Sequence, residues 1–274
     1  MNIPVQAPFP ALPGQDSPLV SCLMVTNDRL GLAKRAIRCY QQQRYQNREL
    51  VIVCQGNEGY RDELRRHIEA SAVPDARVIA ASPRLRLGAL RNVSLDAARG
   101  ELVCVWDDDD CSHPDRLLRQ VRHLLRAGAQ ASFLSAHLQF FEPEGSLHWI
   151  DWRNSRNKPR YPLLPTTMIM RRDPRFRYPE SGRYAHFGED WQLMLDLHRD
   201  AEVVTPDDMG LLYLYTYHGG NTFSREHHLR MTEHSLPSSQ IRARADEIRQ
   251  ALDHYPIPRP VTVHGADGEV FTVD

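Results

Sequence analysis

No two cysteines stand in a CxxC pair, and their number, five, is odd. Cys22, Cys39, Cys54, Cys104 and Cys111 thus argue against a zinc knuckle or a disulfide framework. Cys22, Cys54 and Cys104 fall in apolar runs and read as small buried residues, while Cys111 sits beside an acidic run. No apolar run approaches the roughly 20 residues of a membrane-spanning helix. Charge of one sign is not in excess: 34 Lys and Arg face 35 Asp and Glu, a net charge of −1, which excludes nucleic-acid binding driven by bulk charge. There is no internal repeat and no low-complexity tract. Residues 1–18 lack the basic and apolar regions of a signal peptide, and Pro4, Pro8, Pro10, Pro13 and Pro18 make an extended arm the expectation there. The expected compartment is the cytoplasm, with peripheral contact to a membrane left open.

What is present points to a globular α/β chain. Of 274 residues, 41% are hydrophobic and 25% charged. The organising stretch is Glu101 to Asp110, in which the apolar run Leu102, Val103, Cys104, Val105 and Trp106 meets four consecutive carboxylates. Such a run suits a strand buried on both faces of a parallel sheet, and ligands bind beyond the carboxyl ends of such strands. Four adjacent acids repel one another unless a cation or a positive field offsets them. Hard divalent ions prefer carboxylate oxygen, often with a substrate phosphate completing the shell, so a metal–diphosphate site is one reading. The plainer reading is an acidic loop at a helix start, with Ser112 capping a helix that begins near Pro114.

Strand and helix alternate four times before those acids. Strands are expected at Leu19 to Val25, Glu49 to Cys54 and Arg77 to Ala80. Helices are expected from Leu30 to about Gln43, from Tyr60 to Ala70, and through Arg91 to about Ala98, the last ended by Gly100 as a C-cap glycine. This alternation implies parallel strands with crossover helices and a nucleotide-binding half over 19–110. Residues 111–235 are less regular and form the expected acceptor half. They comprise a helix from Arg116 to Arg126, one strand from Ala131 to Phe141, strands at Leu147 to Ile150, Thr166 to Met170 and Leu211 to Tyr217, and a helix opening at Glu189. A single amphipathic helix near Ser238 to Leu252 and a hairpin from Val261 to Val273 make up 236–274.

With these pieces placed, the sequence resembles the inverting nucleotide-sugar glycosyltransferases of family 2, which have the GT-A fold. The likeness runs from about Leu19 to Asn221 and rests on five motifs in order. They are the first-strand end at Thr26, Asn27 and Arg29; Arg91-Asn92 with Ala97 to Glu101; Trp106 to Asp110, with Asp107 and Asp109 in the DXD places; Gly188-Glu189-Asp190; and the late His218. The resemblance implies a donor held by Thr26, Asn27, Arg29, Gln55, Arg86, Arg91, Asp107 and Asp108, and Mn²⁺ or Mg²⁺ held by Asp109, Asp107 and His218. Asp190 would be the catalytic base. The second strand ends in Cys54-Gln55-Gly56-Asn57 where the family has acids that bind uracil, and Arg86-Leu87-Gly88 replaces its usual NxG. Gln55 can still offer its carbonyl to an imide N–H and its NH₂ to a ring oxygen. The QxxRW motif of processive synthases is absent after Asp190, which favours single-sugar transfer.

The expected function is therefore metal-dependent, inverting transfer of one sugar from a nucleotide-diphosphate donor, a UDP-sugar, to an unnamed glycan, lipid-linked or protein acceptor. Burial beside Glu189 and Trp191 would raise the Asp190 pKa toward a useful base. Two alternatives stand beside it. One is a non-catalytic nucleotide-sugar or glycan-binding module. The other is a sugar-phosphate nucleotidyltransferase, which needs a glycine-rich loop where this chain has only Gly31. The clusters Arg153, Arg156, Lys158, Arg160 and Arg171, Arg172, Arg175, Arg177 read as solvated surface or as anion contacts. Trp149 and Trp152 read equally as acceptor stacking or core, and His227, His228 and His234 lack metal-site spacing.

Overall fold

The computed structural model describes residues 17–153, 158–185 and 187–274. Most of the expected N-terminal arm, Arg156 of the basic loop, and His186 lie outside the described residues. Two sheets both contribute to the main hydrophobic cluster. The first runs β10-β6-β9-β4-β1-β2-β3. One side of it is β1 (Val20–Thr26), β2 (Arg48–Cys54), the edge strand β3 (Ala76–Ala80) and β4 (Leu102–Val105), all parallel. Alternate residues of β1 serve opposite faces. Cys22 and Met24 pack with Ile37 of α1 (Leu30–Gln41), Leu64 of α2 (Glu58–Ala70) and Leu117 and Val121 of α4 (Arg116–Ala127). Leu23 packs with Leu95 of α3 (Leu87–Ala97) and Leu193 and Met194 of α5 (Glu189–Asp200). Apolar burial on both faces is why these strands read as unbroken hydrophobic runs.

The remaining strands of this sheet are β6 (Ala131–Leu134), β9 (Leu164–Arg171) and β10 (Val203–Val204), with β9 antiparallel to both β4 and β6. The second sheet runs β13-β12-β8-β7-β11-β5. It is built from β5 (Cys111–Ser112), β7 (Ala136–Phe141), β8 (Ser146–Asp151), β11 (Tyr213–Tyr217) and the hairpin β12 (Val261–Gly265) and β13 (Gly268–Val273). Pairing of β12 with β8 brings the C-terminal hairpin into the same sheet as β7 and β11. The short α6 (Arg225–Met231) follows β11.

Four local expectations are corrected. The single strand foreseen from Ala131 to Phe141 is two strands in different sheets. Between them the Leu134 N–H donates to Thr167 Oγ1 at 2.8 Å instead of to a ladder carbonyl, and the Ser135 carbonyl accepts from the Trp152 N–H. Gly100 is not a C-cap glycine: the cap is Ala98, with an extended backbone. A Cβ at Gly100 would lie 2.5 Å from the Leu19 carbonyl oxygen and 2.8 Å from the Ser21 nitrogen, so close backbone approach is what requires glycine there. Ser112 does not cap α4, since Asp115 holds the N-cap position and Ser112 Oγ accepts from Arg116 Nη1 at 2.9 Å. The C-terminal helix breaks at Arg244 into α7 (Ser238–Ala243) and α8 (Ala245–Leu252). Among the described residues no helix is long and apolar enough to cross a membrane.

Candidate active site

In the first sheet β1 has β2 on one side and β4 on the other, so the order in which strands are added reverses around it. A crevice opens beyond the strand ends at such a point. Here it is a cleft of about 300 Å³, lined by Thr26, Asn27, Arg29, Gln55, Arg91, Asp107, Asp108, Asp109 and Asp190, with Phe187, Glu189, Tyr215, Asn221 and Phe223 among its other walls. Arg86 is not brought to it; its side chain is exposed at the N-terminus of α3.

The four acids after β4 have separate fates. Asp107 faces Arg91, whose Nη2 lies 3.0 Å away, while the same guanidinium donates through Nε to Glu189 Oε1 at 3.0 Å. Asp108 is buried and accepts from Thr26 Oγ1 at 2.6 Å and from Arg29 Nη2 at 2.5 Å. Burial and then the Asp109 charge push its pKa up to about 7. Asp109 accepts from Arg29 Nη1 at 2.9 Å and has His218 Nε2 at 3.3 Å. Burial opposes its charge, but the His218 bond and Arg29 outweigh burial and hold its pKa below the usual carboxylate value. Asp110 turns away from the cleft. It accepts from the Tyr213 hydroxyl at 2.5 Å and the Thr216 N–H at 2.8 Å, and so ties β4 to β11 of the second sheet. Burial and then Asp109 and Asp107 push its pKa well up, toward the neutral acid.

Asp190 stands in the first turn of α5, on the same cleft as Asp109. Its Oδ1 accepts from the Trp191 N–H at 2.7 Å. Burial, then the neighbouring Glu189 charge, raise its pKa to about 6. Gln55 has its NH₂ committed to the carbonyls of Ser82 at 3.1 Å and Leu85 at 2.8 Å. Both partners are acceptors, so the orientation of this amide is set by chemistry, and the NH₂ foreseen for a ring oxygen is already engaged.

The metal set foreseen from the sequence comes together only in part. Asp109 and His218 meet, but Asp107 is held by Arg91, and among the described residues no three His, Cys, Asp or Glu side chains converge on one point. Trp149 is core, with the Arg244 guanidinium 4.2 Å over its ring. Arg171 and Arg172 donate to the backbone carbonyls of Ala129 and Gly100, and Arg175 and Arg177 pair with Asp173 and Asp96. Glu189, as the second partner of Arg91, and Tyr60, whose hydroxyl lies 2.6 Å from Thr26 Oγ1, were not foreseen. No local pattern marks them, because their partners are distant in sequence.

The profile of glycosyl transferase family 2 matches residues 21–176, more than half of the chain. The chain belongs to that family. Two curated relatives match over shorter stretches. WcaA of Escherichia coli (strain K12), named as a glycosyl transferase of colanic acid biosynthesis, is 33% identical over 105 residues, which is 38% of this chain and 37% of that protein. The succinoglycan biosynthesis protein ExoO of Rhizobium meliloti (strain 1021) is 44% identical over 62 residues, 22% of this chain and 18% of its own. Similar solved structures share the GT-A fold at low identity. The mannosyltransferase PcManGT from Pyrobaculum calidifontis, in complex with GDP-Man and Mn²⁺, superposes with a TM-score of 0.59 at 16% identity, over 89% of this chain and 68% of that one. S. aureus TarS in complex with UDP gives 0.55 at 16% identity, over 77% and 69%. This family 2 chain thus has the GT-A architecture, with its acids just beyond the end of β4.

Proposed function

We propose that this chain moves a single sugar from a nucleotide-diphosphate donor, a UDP-sugar, to an acceptor hydroxyl with inversion at the sugar carbon. The observation that carries the reading is that Asp109 and Asp190 share one cleft while their environments push their pKa values apart. Such divergence marks an acid held ionised for electrostatic work beside another tuned as a base. The complexes of TarS with UDP and of PcManGT with GDP-Man support a nucleotide-sugar donor for this cleft. Gln55, with its NH₂ engaged, presents its carbonyl as an acceptor, which suits the imide N–H of uracil.

The chemistry follows from the residues. The acceptor oxygen attacks the sugar carbon, the bond from that carbon to the diphosphate oxygen breaks, and the hydroxyl proton passes to Asp190. A carboxylate of pKa about 6 is ionised at neutral pH and is a stronger base than an ordinary aspartate near 3.9. Arg29, fixed by Asp108 and Asp109, holds positive charge where the diphosphate would lie. Asp109 and His218 supply an oxygen and a nitrogen donor within 3.3 Å of each other. That pair fits Mn²⁺ or Mg²⁺, which commonly take few protein ligands and complete the shell with substrate phosphate. Such an ion, when bound, offsets the charge that develops on the leaving diphosphate.

The test is Asp190→Asn, assayed for transfer and, by calorimetry, for UDP binding. Transfer is expected to fall by about 10² to 10⁴ with UDP affinity intact. In the unaltered chain kcat/KM should rise with pH through about 6 and level off above it, because the base works deprotonated. Unchanged transfer in the variant removes Asp190 from the mechanism. Asp109→Asn should lose any strengthening of UDP binding by Mn²⁺, and a variant that retains it has its ion elsewhere.

A further inference from the structure

Three large hydrophobic side chains are exposed among the described residues: Phe187 at 59%, Trp191 at 37% and Leu229 at 37%. Single exposed apolar residues need no explanation, but two of these bracket Asp190. Phe187 is itself a wall of the cleft. Trp191 begins an arc of rings around the same turn. The Tyr161 ring stands edge-on to it with centroids 6.1 Å apart. A Cβ at Gly188 would lie 3.7 Å from Trp191 Cβ and 3.6 Å from Tyr184 Cδ1, so Trp191 and Tyr184 both pack near the Gly188 backbone, two residues before Asp190.

Each end of this arc carries an arginine. The Arg160 guanidinium lies 5.4 Å over the Tyr161 ring and that of Arg183 lies 5.5 Å over Tyr184. Neither has a carboxylate within ion-pair distance among the described residues, whereas nearby Arg175, Arg177 and Arg199 are all paired. A guanidinium stacked on a ring is held in orientation yet keeps its planar fork of donors for a carboxylate.

We propose that this arc is the acceptor platform and that it takes an acidic oligosaccharide: sugar rings lie on Phe187 and Trp191, and the sugar carboxylates meet Arg160 and Arg183. The inference rests on the glycosyl-transfer reading and adds the acceptor class to it. Two features argue for this occupant. An aromatic face on the cleft wall, Phe187, and a second exposed one next to Asp190 in the chain, Trp191, suit the C–H faces of pyranose rings while an acceptor hydroxyl reaches Asp190. Two cations at the ends of the arc, unpaired among the described residues, complement a negative chain.

The probe is a short oligogalacturonate, titrated calorimetrically into the full chain beside its methyl-esterified form, which keeps the rings and removes the charge. The acid form is expected to bind about tenfold more tightly than the ester, the worth of a charge-assisted bond. The double variant Arg160→Gln/Arg183→Gln should erase that difference with UDP affinity unchanged, and Trp191→Ala should weaken both forms. All of these side chains are at the surface, and the melting temperature checks that each variant folds. Equal affinity for the two forms, no binding of either, or a preference that survives the double variant overturns the proposal. So does binding to phosphatidylglycerol vesicles that the oligogalacturonate cannot displace. Loss of UDP binding by the unaltered chain would instead strike the glycosyl-transfer reading itself, which keeps the two failures apart.

Discussion

Arg91 and His137 are both buried polar side chains, and the molecule holds them in opposite ways. Arg91, under the first sheet, donates to Asp107 and Glu189 and lies over the Tyr178 ring. Glu49 of the same sheet accepts from Ser21, Arg77 and Arg99. His137, on β7 of the second sheet, is fully buried, and among the described residues neither ring nitrogen has a hydrogen-bond partner of good geometry. Around it Gln139 Oε1, His228 Nε2 and Trp152 Nε1 are also buried without a partner among the described residues. The first region sets its buried polar groups against opposite charges, and the second keeps its polar groups neutral. Charge held in place is what the proposed diphosphate site would need. The neutral layer behind Tyr215 closes the far wall of the same cleft and depends on its histidines staying unprotonated.

The largest expected effect tests the paired region. Arg91→Met leaves Asp107 and Glu189 buried without their cation. Breaking a buried pair by removing one partner typically costs about 3–5 kcal/mol. A urea titration should show the midpoint falling accordingly. The double variant Arg91→Met/Glu189→Gln should recover part of the loss, because one stranded charge is gone. A midpoint that hardly moves would show that Arg91 is not needed to hold these acids, and the contrast between the regions would lose its first half.

That pairing also shows what the sequence makes readable. The runs Val20–Met24 and Leu102–Val105 announce a doubly covered parallel sheet, and the acids after the second run announce a site, because continuous burial and its abrupt end are local signals. The division of labour within Asp107 to Asp110 is not local. Asp110 is set apart only by Tyr213 and Thr216, more than 100 positions away, and Asp107 only by Arg91, which also reaches Glu189. The change of sheet at Ser135 is equally hidden, since alternation in Ala131 to Phe141 fixes which residues share a face but not which strand lies alongside.

A second effect, of intermediate size, separates the regions by the sign of their response to acid. Burial first, and then a neighbouring histidine, push His137 down to about 3 and His148 and His228 to about 4. Their folded values lie below the ordinary value near 6.5, so between about pH 6.5 and 4 the opened region takes up protons that the closed one does not. Stability of that layer is fully present above pH 6.5 and falls as pH falls, by up to about 1.4 kcal/mol per unit for each histidine exposed. Two acids at the cleft respond oppositely: Asp108 and Asp190 are raised to about 7 and 6, so acidification favours their folded, protonated forms. Hydrogen exchange at pH 7 and pH 5, corrected for the intrinsic rate, should therefore show β7, β8 and β11 losing protection while β1 and β4 hold. Uniform loss across both sheets would erase the distinction.

The smallest effect probes the unbonded group directly. His137→Leu removes two ring nitrogens that have no partner and replaces them with an apolar side chain of similar bulk. No hydrogen bond is lost, and the desolvation cost of an unsatisfied buried group is relieved, so stability at pH 7 should change by less than about 1 kcal/mol or should rise. The same substitution should reduce the loss of protection in β7 at pH 5, because one proton-binding site of the opened state is gone. A destabilisation of more than about 2 kcal/mol would mean that His137 is bonded in solution, through an ordered water in this layer. The second region would then be satisfied in the same way as the first, by solvent instead of by paired charge.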